Sequence, residues 1–135
     1  MTGTVVVGYI PTPQGIAAFE RAKEEALLRE CRLVVVNTGQ NGDFATPSFA
    51  TAEDIDAIGR ELRDAGLAHE VLQATSGLGA AEEILRVAAA ESAELIVIGI
   101  RHRTPVGKLF LGSTSQQVLL DAPCAVLAVK ARTTA

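Results

Sequence analysis

The sequence predicts an α/β fold, a parallel, doubly wound sheet of five strands with four helices packed on its faces. Three observations predict it. Five short β-type runs alternate with four helix-type stretches along the 135 residues. Four of the five β runs lack polar/apolar alternation, the pattern of parallel strands covered on both faces. The chain is 48% hydrophobic and 21% charged, enough to bury a core in one domain spanning residues 1–135.

The elements follow in order. Thr4–Val7 is a β-branched, apolar first strand. Thr12-Pro13 then supplies an N-cap and a proline at the first helical position. In the helix that follows, Ala18, Phe19, Ala22, Ala26 and Leu27 form an apolar stripe, and Glu20, Arg21, Lys23, Glu24 and Glu25 form its wet face. Arg32–Asn37 is the second strand. The polar stretch Thr38–Phe49 has the length of a functional or mobile loop. A second helix runs from about Thr51 to Ala65 and stops at Gly66. His69–Ala74 mixes polar and apolar residues, which suits an edge strand, and His69 reads as an edge residue. The third helix, about Gly79 to Ser92, buries Ile84, Leu85, Val87 and Ala88. Leu95–Gly99 is the fourth strand. The fourth helix opens at Ser113, where Ser113 and Gln116 fit a capping box, and Pro123 ends the segment. Ala125–Lys130 is the last strand. This alternation predicts the strand order 3-2-1-4-5. The ligand crevice then lies at the C-terminal ends of strands 1 and 4, where the loop Ile10–Thr12 meets the loop after Gly99.

Charge and composition exclude several classes. Twelve basic against sixteen acidic residues leave a net charge of −4, which argues against a nucleic-acid binder. No apolar run approaches the roughly 20 residues of a membrane span, and Met1–Val7 lacks the basic cluster of a leader. A cytoplasmic protein with no membrane partner is expected. Cys31 and Cys124 have no metal-ligand spacing around them and are expected as buried, reduced thiols, with no metal site.

The chemistry concentrates after the fourth strand. Leu95–Ile98 runs into Gly99, then a basic loop with Arg101, His102, Arg103 and Lys108, then Gly112-Ser113-Thr114 at a helix start. A glycine and the free N–H groups of a helix N-terminus make an anion site. The plainer reading is a solvated loop followed by a helix cap. Other motifs fail. After Gly77-Leu78-Gly79 the sixth fingerprint position is Glu82, which would set a carboxylate against a pyrophosphate. Around Gly107-Lys108 a P-loop would need glycine at His102 and a hydroxyl at Leu109. A phosphoacceptor domain needs carboxylates where Tyr9-Ile10-Pro11 stands, and no serine sits in G-x-S-x-G.

The spacing Gly99-x2-His102-x9-Gly112-Ser113 resembles the nucleotide motif G-x2-G-x9-G-[ST] of the universal stress protein family. The start VVVGYIPTP is similar to that family's first strand and turn. IVIGIRHRTPVGKLFLGSTSQQVLLDAPCAVLAVK is similar to its fourth strand, loop, fourth helix and fifth strand. The resemblance implies a flavodoxin-like three-layer sandwich and a stress-response regulatory role, with ATP or AMP as ligand. Gly99, Gly112 and Ser113 carry over as contacts to ribose and phosphates. Pro11, Thr12, Arg101, His102 and Thr114 complete the candidate set. Two positions depart from the family pattern: the motif's second glycine is His102, and the acid that commonly ends the first strand is Ile10. The resemblance also implies a homodimer paired through Ala125–Lys130, an apolar strand that is otherwise a bare edge. No general base is placed to activate water, so ATP hydrolysis is expected to be very slow or absent. The alternative is a nucleotide-independent, dimeric interaction module of the same family.

Overall fold

The computed structural model describes residues 3–38, 51–73, 79–100 and 111–131. Along them run strand β1 (Gly3–Tyr9), helix α1 (Pro13–Arg29), β2 (Cys31–Asn37), α2 (Ala52–Asp64), β3 (His69–Gln73), α3 (Ala80–Ala90), β4 (Leu95–Ile100), α4 (Ser113–Asp121) and β5 (Ala125–Lys130). The sheet has the order β3-β2-β1-β4-β5 with every neighbouring pair parallel, as expected from the sequence.

Strand alternation divides the core into two layers. Val5, Val7, Leu33, Val35, Leu95 and Val97 pack with Phe19 of α1 and with Ile58 and Leu62 of α2. Val6, Val34, Val36, Ile96 and Ile98 point the other way, toward Ile84 and Val87 of α3 and Val118 of α4. The stretches Val5–Val7, Leu33–Val36 and Leu95–Ile98 of the middle strands are therefore apolar at every position because both faces are covered. Fully burying one such side chain, Leu33 for example, contributes about 1.5–3 kcal/mol. On the α1 side, the Tyr9 and Phe19 rings meet edge to face with centroids 6.1 Å apart.

The helix ends follow local chemistry. The Thr12 hydroxyl accepts from the Gly15 N–H at 3.1 Å, ahead of Pro13. Helix α2 starts with a reciprocal box: the Asp54 N–H donates to the Thr51 hydroxyl, and the Thr51 N–H donates to the Asp54 carboxylate. Gly66 follows that helix at φ +70, a left-handed turn that a side chain would strain. The capping box expected at Ser113 and Gln116 is corrected. Gly112 is the N-cap and Ser113 is already inside the first turn, so its hydroxyl is misplaced for the role and no side chain caps the helix. Gln116 instead donates through Nε2 to the Leu111 carbonyl at 2.9 Å. His69 lies half-buried on the edge strand β3, with Nδ1 2.8 Å from the Leu67 carbonyl. The last residue of the expected third strand, Ala74, and nearly all of the Thr38–Phe49 loop lie outside the described residues.

Ion pairs staple the N-terminal end of the sheet. Arg29 donates to Glu25 at 3.2 Å and to Glu94 at 2.9 Å, and the Cys31 thiol donates to Glu94 at 3.2 Å. Burial, then the Glu94 carboxylate, pushes the Cys31 thiol up, and burial does the same at Cys124. Both cysteines are free; Cys31 is buried and Cys124 half-buried. The Glu94 carboxyl is held below its ordinary value by the Cys31 and Arg29 hydrogen bonds. A carboxylate depressed in the folded state contributes stability at neutral pH that is lost as pH falls through the folded value. Glu94→Gln is therefore expected to flatten the fall in urea midpoint below about pH 4. The step is small because the pair is solvent-exposed.

Candidate functional site

The sheet opens at the C-terminal ends of β1 and β4 into a pocket of about 550 Å³. That is the size of small-molecule sites, roughly 300–1,000 Å³. The position follows from topology. The chain leaves β1 toward one edge of the sheet and β4 toward the other, so no crossover fills the gap between their ends.

Each wall has its own chemistry. The floor is apolar: Gly8 and Ile10 from the β1 end, Ile98 and Ile100 from β4, and Ile84 from α3. The α1 start contributes Thr12, Gln14 and Gly15, and Thr38 lines the pocket just beyond β2. Opposite lies the α4 N-terminus, with Gly112, Ser113, Thr114 and Ser115. The first N–H groups of a helix have no intrahelical partner, and no side chain caps this one. The partial positive end of this helix and the hydroxyl-bearing residues Ser113, Thr114 and Ser115 thus line the pocket, a lining whose chemistry suits an anion. None of the described lining residues has a titratable side chain.

Of the residues singled out by sequence, Thr12, Gly99, Gly112, Ser113 and Thr114 converge here, although Thr12 and Gly112 stand a hundred positions apart in the chain. Pro11 is half-buried beside them but is not among the lining residues. Arg101 and His102 lie outside the described residues, as do Arg103 and Lys108. Ile10 occupies the wall where the family pattern would set an acid.

The two motif glycines differ. A Cβ on Gly99 would stand 2.6 Å from the Gln14 carbonyl carbon and run into its oxygen. Gly99 therefore lets the first turn of α1 settle on β4, and it also lines the pocket. Gly112 has an ordinary extended backbone, φ −67, and among the described residues no atom lies within 4 Å of the Cβ it lacks. Nothing described in the protein requires a glycine there, whereas a ligand brought close to the backbone would. Sequence reasoning missed Gln14, Gly15, Ser115 and Thr38 as lining residues. The hydroxyl run Ser113-Thr114-Ser115 carried the signal for Ser115; Thr38 had none beyond ending an apolar strand.

The chain matches the model of the universal stress protein family over residues 1–130. It is 44% identical over 126 residues to a universal stress protein of Mycolicibacterium smegmatis, covering 93% of this chain and 96% of that one. Among solved structures, it matches a universal stress protein from Archaeoglobus fulgidus at 28% identity with a TM-score of 0.79, covering 96% of this chain and all of that one. A second A. fulgidus structure, of a universal stress protein in complex with dAMP, matches at 23% identity with a TM-score of 0.67, covering 96% of this chain and 98% of that one, a likeness of fold. None of the described helices is long and apolar enough to cross a membrane. A parallel sheet in the order 3-2-1-4-5, a pocket at its switch point and a match along almost the whole sequence lead to one conclusion: the chain belongs to the universal stress protein family.

Proposed function

We propose that this protein is a cytoplasmic stress-response regulator that binds an adenine nucleotide, ATP or AMP, in the pocket between β1 and β4. The observation that carries the reading is the α4 N-terminus: uncapped, opened by a glycine with nothing described above it, and facing a pocket of nucleotide size. The phosphates take the Gly112–Thr114 amides and the Ser113 hydroxyl. Gly99 and Thr12 line the pocket as well, with Pro11 adjoining Thr12 just outside the lining, and the motif alone assigns Arg101 and His102 as cationic support for the phosphates. The dAMP complex from A. fulgidus supports this class of ligand. The test is to denature freshly purified protein, look for released nucleotide, and titrate ATP and AMP calorimetrically. Binding at or below millimolar concentration is expected; no released nucleotide and no heat overturn the reading. If Ile10 and His102 weaken the site, Ile10→Asp with His102→Gly is expected to raise ATP affinity.

A second reading, a dimeric interaction module without nucleotide, is favoured by β5. Among the described residues that strand pairs only with β4, and it carries exposed Ala125 and Ala128 and half-buried Val126, Leu127 and Val129. A bare apolar edge invites another strand, and a second copy related by a two-fold axis would supply one. The two readings share this homodimer. Light scattering at micromolar concentration is expected to give the dimer mass; a stable monomer overturns it.

A further inference from the structure

We propose that Asn37 is a positioning residue of the pocket: its buried amide holds the Tyr9 carbonyl and thereby fixes the turn from which Ile10, Thr12, Gln14 and Gly15 line the ligand site. This rests on the nucleotide reading above for its ligand and adds what keeps one wall of the site in place.

The end of β1 is held from one side. Among the described residues β1 pairs with β2 along Gly3–Tyr9 but with β4 only at Val5–Val7. Past Val7 the strands β1 and β4 part, and Gly8 and Ile10 line the opening between them. On the β2 side the last rung carries a row of amides. Tyr9 stands opposite Asn37, and Asn37 opposite Gln73. Gln73 donates through Nε2 to Asn37 Oδ1 at 3.3 Å, and Asn37 donates through Nδ2 to the Tyr9 carbonyl at 2.9 Å. The bond from Gln73 fixes which end of the Asn37 amide faces Tyr9.

Asn37 has no exposed surface, and the other largest side chains so fully buried among the described residues are all Leu, Ile or Val. An amide is costly to bury, and only its hydrogen bonds offset that cost, so its directional contacts are what distinguish it from those neighbours. Strand alternation sets Asn37 on the face of Leu33 and Val35, and it does not line the pocket. Its effect on a ligand therefore passes through the Tyr9 peptide. The chain after that peptide is tightly coupled. The Ile10 carbonyl accepts from the Thr12 N–H at 2.8 Å, and the Thr12 hydroxyl accepts from the Gly15 N–H at 3.1 Å. A Cβ on Gly15 would stand 2.9 Å from the Ile10 carbonyl carbon, so the turn and the start of α1 touch. A shift of the Tyr9 carbonyl carries all four lining residues with it.

The experiment compares the full chain with Asn37→Leu, Gln73→Met, the two combined, and Leu62→Ala as a control destabilised away from the pocket. AMP is titrated calorimetrically below each melting transition. Exchange of the Thr12, Gly15 and Ile16 amides is measured relative to that of Val34–Val36. Asn37→Leu keeps the size of the side chain and suits its apolar neighbours but releases the Tyr9 carbonyl. It is expected to weaken AMP about 5- to 20-fold and to speed exchange in the turn. Gln73→Met is expected to weaken AMP about 2- to 4-fold alone and to add nothing in the Asn37→Leu background, because it acts through Asn37. Leu62→Ala is expected to leave both readouts unchanged. Unchanged AMP affinity in Asn37→Leu overturns the proposal, as does an equal loss in Leu62→Ala. If Asn37→Leu does not fold, Gln73→Met, an exposed position, decides in the same way. If the wild type binds no AMP, the nucleotide reading falls and exchange alone decides: faster turn exchange in Asn37→Leu upholds the clamp, and unchanged exchange overturns it.

Discussion

Gly99→Ala is expected to destabilise the fold by about 3 kcal/mol, whereas Gly112→Ala costs under about 1 kcal/mol. The two glycines belong to one sequence motif, so equal effects would be the naive expectation. At Gly99 the added methyl meets backbone, the Gln14 carbonyl in the first turn of α1, and backbone cannot swing aside as a side chain does. Either β4 and α1 separate, opening the core layer that Phe19, Val97 and Leu95 share, or the start of α1 unwinds. At Gly112 the methyl meets no atom of the described residues within 4 Å, and the expected cost is that of a poorer N-cap residue. Thermal melting should show a drop on the order of 10 °C for the first and a few degrees at most for the second. Nucleotide affinity should rank them in the reverse sense per unit of stability lost: Gly112→Ala keeps the fold and obstructs the anion site at the α4 N-terminus. Equal melting temperatures for the two variants would show that the close approach of α1 to β4 is not what Gly99 is for.

Leu62→Ala is the second large effect, expected at about 2–5 kcal/mol. Leu62 has no exposed surface and sits where α2 joins the layer formed with α1. Only Ile58, Gly59 and Leu62 of that helix are buried, so one truncation removes much of its anchorage. The pocket draws no residue from α2, and AMP affinity of the folded fraction should be unchanged. Urea unfolding followed by calorimetry below the transition separates the two quantities. A loss of affinity matching the loss of stability would mean that α2 supports the site indirectly.

The architecture was legible because it rests on patterns that sequence displays directly. Unbroken apolar runs such as Leu33–Val36 can be covered on both faces only within a parallel sheet, and Thr12-Pro13 and Gly66 mark helix ends by local sterics. The Ser113–Gln116 box misled because its letters are right and its register is one residue off. A box depends on which residue has the extended N-cap backbone, and that residue is Gly112. The site was half legible. Gly112, Ser113 and Thr114 adjoin one another in sequence and were found together. Gly99 was found from its motif, but its packing role was not legible, since the obstacle to a side chain there is Gln14, 85 positions earlier in the chain. Thr38 was invisible because nothing in the chain itself marks it as a lining residue, and only the folded chain brings it to the pocket.

Helix α4 has nine residues, and Val118 is the one side chain in it that is fully buried. Its neighbours Leu119 and Leu120 face outward, 41% and 82% exposed. A helix so lightly moored has little tertiary packing to hold it and takes much of its order from its first turn. An anion resting on the amides of Ser113 and Thr114 would supply the cap that Gly112 lacks, and amide hydrogen exchange along the helix would slow. The chain passes directly from α4 into β5, so the outer edge of the sheet is continuous with the element that would register an occupied pocket. In such a molecule a bound ligand would register as a change in local fraying, one short helix away from the surface where a second chain would dock.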